Sequence, residues 1–577
     1  MRQKIVLKDA YKGYTLDQDK ILTPEETVRR FKEKLKALDL DILEETVRID
    51  SGRLDIPVYF SLCGPDAEKI IGTKKQMGKG GTPRQSEASA VMELAERFSF
   101  FSFCREQDNF FVDTYRNIKD RALPLEAIAK SVHDDSPDLE KALNLFSGLP
   151  LQWTWSYNMT RDKAFLIPFN WFFAINEYNG PSAGNCMEEA ILQGISELVE
   201  RHVSSIVSRN RLRVPTIDLD SATDPLVREM IEKYRRAGIK LYASDFSLDT
   251  GIPTVAVLAY DPSTFPENSE IVWTAGTTPD PQKALSRALT EVAQLGGDFN
   301  TKSNYVASGL PKFKALDEAD YIIRADSRCG LTTLPDLSSN NMKTEVENCI
   351  SALSNRSLEV MLIDVTHPKL GVPALYTIIP GAHFRERAAG TSVGMFSAKL
   401  VAESENPQWA LEELTKMDRL LPHKYYIKFF QGMVLLPLNK PLDALGYLEE
   451  SLDLGPTRQD IPSIYSYMGL CLKELERYSE AIEVLEKGEA YDKDRTDIYN
   501  LMGFCHFKLK EHEKAIACFK KVLRLDPGSA IDYANIASNY REMGNTEKAV
   551  SFYRLALELD PTISFAEESL KHLEKKD

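Results

Sequence analysis

The sequence predicts a mixed α/β (α+β) domain over residues 1–402, a linker or connecting helix over 403–424, and an all-α repeat domain over 425–577. Three observations predict this. Strand-like runs alternate with helical stretches through the first part. A 34-residue period governs the last part. The pentapeptide Glu-Leu-x-Glu-Arg occurs twice, as Glu93–Arg97 and Glu197–Arg201, each time in an unusually apolar helical stretch. At 577 residues the chain needs more than one core, because single cores stop growing near ~250–300 residues.

The first chemistry-bearing stretch is Gly78-Lys79-Gly80-Gly81-Thr82-Pro83, before a helix expected from Gln85 to Phe100. Backbone amides of a Gly-rich turn can cradle phosphate. The spacing is not that of a Walker loop: Gly72 stands one residue too far away, and Gly80 occupies the Ser/Thr place. A plain turn is the preferred reading. In the helix, Ala88, Ala90, Val91, Met92, Leu94, Ala95 and Phe98 cover nearly every face, which predicts burial. Glu93, Glu96 and Arg97 must then be paired or coordinating, because isolated buried charge is costly. An intrahelical Glu93–Arg97 bridge is the plainer alternative. The polar, Asp-rich region from Asp108 to Leu149 reads as a peripheral insertion. Strands are expected at Leu151–Tyr157, Thr254–Tyr260, Leu358–Asp364 and Ala374–Ile379.

The second helix follows Ser182-Ala183-Gly184-Asn185, with Asn185 expected as N-cap and Glu188 at N3. Glu189, Gln193, Glu197 and Arg201 step by four along one face, with Glu200 beside them. The third helix starts at Asp280-Pro281, an N-cap followed by Pro at N1. Arg287, Glu291 and Gln294 share its face. Carboxylates that must share a low-dielectric site raise each other's pKa or recruit a cation. A face of Glu, Gln, Glu and Arg suits a nucleotide, with carboxylates on metal, Arg on phosphate and amide on base or ribose. Magnesium favours such oxygen ligands. Three faces of this kind point to a magnesium-nucleotide site.

Composition narrows the alternatives. A formal charge of −15 argues against a broad nucleic-acid surface. The eight cysteines include no Cys-x-x-Cys, as expected of packing thiols in a cytoplasmic protein. Cys186, beside Asn185, reads as a small packing residue. The eight histidines are scattered, so no zinc site is expected. Met1–Leu16 shows no signal-peptide pattern. No stretch offers about 20 apolar residues, so no membrane span is expected.

The last part repeats. Tyr465, Tyr499 and Tyr533 are 34 apart, and so are Ala481, Ala515 and Ala549. Gly469, Gly503 and Ala537 keep the same step with small residues. Asp526-Pro527 and Asp560-Pro561 close two units. This is the tetratricopeptide pattern. An earlier unit, Tyr426–Pro456, is out of phase, and Gly455–Asp460 absorbs the difference as a longer loop. Ile563–Lys576 reads as a solvating cap. The concave face of such a stack would bind a peptide or protein partner, or pack on the first domain or a second copy.

At these residues the chain resembles the YcaO family of ATP-dependent enzymes. The matching blocks are Gly-Lys-Gly-Gly-Thr with Glu93-x-x-Glu96-Arg97; Ser182-Ala-Gly-Asn185 with Glu189 and Glu197-x-x-Glu200-Arg201; and Pro279-Asp-Pro with Arg287 and Glu291-x-x-Gln294. A weaker block is Asp19-Lys20 with Thr27. The resemblance implies ATP and Mg2+ as cofactors. Glu93, Glu96, Glu197, Glu200 and Glu291 would hold the metal. Ser89, Arg97, Ser182, Asn185, Glu189 and Gln193 would bind nucleotide, together with Arg201, Arg287, Gln294, Lys20 and Thr27. Glu93, Glu197, Arg201 and Arg287 would carry catalysis. The implied reaction activates a backbone amide of a peptide or protein by O-phosphorylation. The azoline-forming members typically end in a Pro-rich tail, whereas this chain ends Leu573-Glu574-Lys575-Lys576-Asp577 after its repeats, so azoline formation is not expected. A YcaO core with repeats is most similar to the subgroup described as accessory to ribosomal-protein methylthiolation. The resemblance also implies a homodimer. An ATP-binding adaptor and a repeat scaffold with a vestigial core are the rival readings.

Overall fold

The computed structural model describes residues 4–302, 305, 309–384 and 391–574. Contacts divide the chain into two compact units, Met1–Asp135 with Ser147–Thr391, and Ser136–Phe146 with Ser392–Asp577. The first is a mixed α/β unit with three sheets, and the second is all helical.

Each sheet of the first unit backs one long helix. The antiparallel three-stranded sheet (Leu43–Arg48, Val58–Cys63, Lys75–Lys79) carries the helix Pro83–Arg105. The helix Met187–Asn210 lies on the strands Ala374–Ile378 and Pro181–Ala183 of the six-stranded sheet. The helix Pro281–Gly296 lies on Thr254–Tyr260 and Val272–Thr277, strands of the five-stranded sheet that are buried except at Tyr260. Its underside joins a core with Val255, Val257, Leu285, Leu289 and Val292.

Close approach decides where two of these helices sit. A Cβ on Gly78 would stand 2.1 Å from the Ala90 nitrogen and 2.4 Å from the Ser86 carbonyl oxygen. One on Gly194 would stand 2.2 Å from Thr377 Oγ1 and 2.9 Å from Ser182 Oγ. Gly78 therefore lets a strand press against the first site helix, and Gly194 lets the second press against its sheet.

Several expectations are corrected. The strand expected at Leu358–Asp364 shortens to Met361–Asp364, and the first site helix starts at Pro83, capped by Thr82, whose Oγ1 accepts from Gln85 N at 3.2 Å. Asn185 is not the N-cap of the second helix. Cys186 is, with extended backbone and its Sγ accepting from Glu189 N at 3.4 Å. That puts Glu189 rather than Glu188 at N3 and frees the Asn185 amide for Glu189 itself. The segment Asp108–Leu149 is no peripheral insertion. Its strand Phe111–Thr114 pairs with Pro150–Asn158, and Ile118, Leu123, Ile128 and Val132 are buried. The third helix begins as expected, with Asp280 capping and Pro281 at N1.

In the second unit, helical hairpins follow one another: Tyr425–Leu435 with Pro441–Asp453, Ile461–Glu474 with Tyr478–Tyr491, Thr496–Lys508 with His512–Leu525, and Ala530–Glu542 with Thr546–Leu559. The fully buried alanines Ala481, Ala515 and Ala549 sit at the crossings. A Cβ on Gly469 or Gly503 would collide with Leu485 or Phe519, so the period in the sequence is a period of close helix crossings. Ser564–Glu574 forms the terminal helix. The end of the expected cap, Lys575 and Lys576, lies outside the described residues.

All eight cysteines are free thiols. No helix among the described residues is long and apolar enough to cross a membrane. Three of the scattered histidines come together. His133 stacks on His383 with centroids 3.6 Å apart, and His202 lies 5.3 Å from His383. The backbone N–H of His383 donates to His202 Nδ1 at 2.9 Å. Burial, then the neighbouring imidazoles and Arg209, pushes His383 down to about 3. Burial and His133 push His202 down to about 4. The folded state thus favours neutral rings. Their contribution is intact above the ordinary value of 6.5 and is lost as pH falls from there toward 4. Urea unfolding midpoints should decline over that window, and His383→Phe should flatten the decline. An equal slope in the variant would remove this cluster as the cause.

Candidate active site

The three helices meet around a cavity of about 360 Å³. Each contributes the face that its sequence spacing put together. The first presents Ser89, Glu93, Glu96 and Arg97. The second presents Glu189, Gln193, Glu197 and Arg201, with Asn185 just before it. The third presents Arg287, Glu291 and Gln294. Lys20 and Thr27, far away in sequence, also line the cavity.

Two expected site residues do not line it. Ser182 lies beneath Gly194, and its buried Oγ has no hydrogen-bond partner among the described residues. Glu200 sits behind the wall with its side chain 3% exposed, 3.6 Å from Arg201 Nη1 and 3.4 Å from Arg287 Nε. It balances two guanidiniums from outside the cavity surface.

The lining also holds residues to which sequence reasoning gave no site role, among them Gln18, Gln85, Met92 and Thr290. The most consequential is Lys79, read as part of a plain turn. It ends the strand Lys75–Lys79 and makes a close ion pair with Glu291. The available signal was a lysine four residues before the start of the helix that carries Glu93. The surrounding glycines serve packing, as Gly78 shows.

Opposite charges alternate around the wall. Arg97 stands 4.0 Å from Glu93 and 3.5 Å from Glu96. Arg201 stands 3.6 Å from Glu197, and Lys20 stands 3.5 Å from Glu189. Most of these separations exceed hydrogen-bond length, so the charges face the cavity rather than clasp one another. Neutral groups orient several of them. Gly180 N donates to Glu197 at 3.1 Å, Arg201 Nε to Asn179 at 3.1 Å, and Arg287 Nη1 to Gln193 at 3.0 Å. Asn185 Nδ2 donates to Glu189 at 3.1 Å.

The electrostatics follow from burial against these neighbours. Burial raises Glu93, against Arg97 and Lys79. Burial pushes Glu96 up to about 8, with Arg97 pulling down and Glu93 and Glu197 adding to the rise. Burial also raises Glu200 against Arg287 and Arg201. Burial would raise Glu291 too, but Lys79, Arg201 and Arg287 outweigh it and hold that carboxyl below its usual range.

A magnesium nucleotide fits this donor set. Among the described residues no three His, Cys, Asp or Glu side chains close into a metal cage. Magnesium is usually held by one or two carboxylates plus phosphate oxygens and water, so a wall of spaced carboxylates suits it better than a closed cage. The guanidiniums between them match phosphate oxygens.

Comparison with known proteins identifies the family and the fold. Residues 77–383 match the family described as "YcaO cyclodehydratase, ATP-ad Mg2+-binding", and residues 494–562 match the tetratricopeptide repeat. An uncharacterized protein of Methanothermobacter thermautotrophicus is 29% identical over 381 residues, covering 62% of this chain and 93% of that protein. The ribosomal protein S12 methylthiotransferase accessory factor YcaO of Escherichia coli is 25% identical over 463 residues, covering 72% of this chain and 75% of its own. A solved heterocyclase in complex with substrate and cofactor shares the fold, with a TM-score of 0.55 at 24% identity. That alignment covers 66% of this chain and 55% of the heterocyclase, so this chain spans little more than half its length. The matching stretch runs through all three site helices and occupies more than half of the 577 residues: the chain belongs to the YcaO family and carries tetratricopeptide repeats behind its YcaO domain.

Proposed function

We propose that this chain uses Mg-ATP to activate a backbone amide of a peptide or protein. A nucleophile adds to the amide carbon, the amide oxygen takes the γ-phosphoryl group, and ADP is released. Phosphate then departs with that oxygen. One observation carries the reading: carboxylates and cations interleave around a single cavity, mostly too far apart to neutralise one another by hydrogen bonds.

Glu93, Glu96, Glu197 and Glu291 would hold magnesium from the wall, with Glu200 pairing with Arg201 and Arg287 from behind. Bound nucleotide and metal would supply the phosphoryl group and the positive charge that stabilises its transfer. Arg97, Arg201 and Arg287 face the same space and would bind phosphate oxygens, while Lys79 adds a movable point charge. Ser89, Asn185, Gln193, Gln294, Lys20 and Thr27 would orient base and ribose. The repeats would recruit the substrate or a partner. The accessory-factor relative favours a narrower form, in which that substrate belongs to ribosomal-protein modification.

The test uses candidate peptides labelled with 18O in their backbone amides, incubated with the chain, ATP and magnesium. The expected product is 18O-phosphate alongside ADP. Unlabelled phosphate would mean ordinary hydrolysis. Tight ATP binding without ADP would favour an adaptor.

A further inference from the structure

The N-terminal segment before the helix Pro24–Leu38 has almost no regular structure, yet it bonds to all three site helices or their caps. Asp17 is buried and accepts from Thr82 N at 3.1 Å, at the cap of the first site helix. Lys8 N donates to Glu188 at 2.6 Å and Ile21 N to Glu189 at 3.3 Å, on the second. From the third, Lys283 Nζ donates to the carbonyls of Thr15 and Leu16 at 2.9 and 2.8 Å. The strap then reverses on itself, with Tyr14 and Lys20 paired, and delivers Gln18 and Lys20 into the cavity.

One side chain fixes that reversal. Lys12 Nζ donates to Asp19 and to Glu345 at 2.6 Å each. Its side chain is 5% exposed and that of Glu345 is 2% exposed. Glu345 belongs to the helix Met342–Ser354, and nearby backbone bonds dock the strap there: Lys12 N to Asn340 O at 3.0 Å and Met342 N to Ala10 O at 2.8 Å. Lys12 does not line the cavity, but Asp19 is the residue before Lys20. Buried lysines are rare unless paired, and this one is paired on both sides. Without it, the buried Glu345 would keep only its bond from Ser339 N and would face the half-buried Asp19 with no cation between them, and the strap would move away from Glu345.

We infer that Lys12 is a positioning residue for the nucleotide site, acting by pinning Asp19 to Glu345 so that Lys20 is held at the cavity. The inference rests on the Mg-ATP reading above. Outer partners that orient a ligating side chain typically cost about 10- to 100-fold in affinity when lost. Lys12→Met should therefore weaken binding of a magnesium-loaded, non-hydrolysable ATP analogue about tenfold or more. Lys12→Arg should keep most of it.

The deciding measurement is a double-mutant cycle by isothermal titration with Lys12→Met, Lys20→Ala and both together. If Lys12 works through Lys20, the double variant binds no worse than Lys20→Ala alone. Should Lys12→Met fail to fold, Asp19→Asn takes its place in the cycle. Wild-type affinity in Lys12→Met, or full additivity in the double variant, overturns the inference while leaving the nucleotide site standing. A wild type that binds no magnesium nucleotide overturns both.

Discussion

Glu197→Ala should abolish magnesium-dependent ATP binding while the protein stays folded. Glu197 sits mid-helix on the cavity wall, 16% exposed, with Gly180 N at 3.1 Å and Arg201 Nη2 at 3.6 Å as its partners. Removing it takes one carboxylate from the proposed metal set and leaves Arg201 with less to hold it toward the cavity. Outer partners of a metal site already cost about 10- to 100-fold in affinity when lost, and a carboxylate that faces the metal should cost at least that. Glu93→Ala should behave alike, because it offers the matching carboxylate from the first helix. Titration of ATP with and without magnesium reads the effect, and circular dichroism checks the fold. Full magnesium-dependent binding in both variants would sink the site assignment.

Gly78→Ala should be among the most destabilising single-methyl changes in the first unit. The added Cβ meets backbone, not a flexible side-chain tip: the Ala90 nitrogen at 2.1 Å and the Ser86 carbonyl oxygen at 2.4 Å. Overpacking of this sort costs about 1–3 kcal/mol, and immovable neighbours place it at the upper end. The relief available is to push the helix Pro83–Arg105 outward, which carries Ser89, Glu93 and Glu96 with it. Nucleotide affinity should therefore fall along with stability. Gly446→Ala is the control. That glycine lies exposed in the helix Pro441–Asp453 with nothing within 4 Å of a new Cβ, so the same change should stabilise by about 0.5–1 kcal/mol. Equal urea midpoints for the two variants would contradict the packing role of Gly78.

Much of the site was legible because each helix keeps its own face. Glu189, Gln193, Glu197 and Arg201 at steps of four must share a side of any helix they form, and the cavity receives all four. The same holds for Arg287, Glu291 and Gln294. Caps were legible less evenly. Asp280-Pro281 stands where expected, but the second helix begins one residue late. Cys186 adopts the extended cap conformation, and the Asn185 side chain turns to Glu189 instead. A Cys thiol is a weak acceptor, and nothing in local propensity ranks it above Asn.

What failed to show in the sequence depends on contacts between distant segments. Ser182 had the right neighbours in the chain but lies under Gly194, while the next residue of its strand, Ala183, lines the cavity, because successive strand side chains point to opposite faces. Lys79 looked like part of a turn until the strand Lys75–Lys79 aimed it at Glu291. The three histidines look scattered until the chain stacks His133 on His383.

By itself, then, the sequence determined the division into an α/β part and a repeat part, the 34-residue stacking period, and the polar face of each site helix. These follow from side-chain spacing along one element, which helical geometry converts into position. Only the tertiary structure decided which faces meet, that Glu200 stands behind the wall while Lys79 stands in it, and that Lys12 ties an irregular strap to Glu345. Those outcomes depend on how closely separate elements can approach, and on which buried charges then need partners.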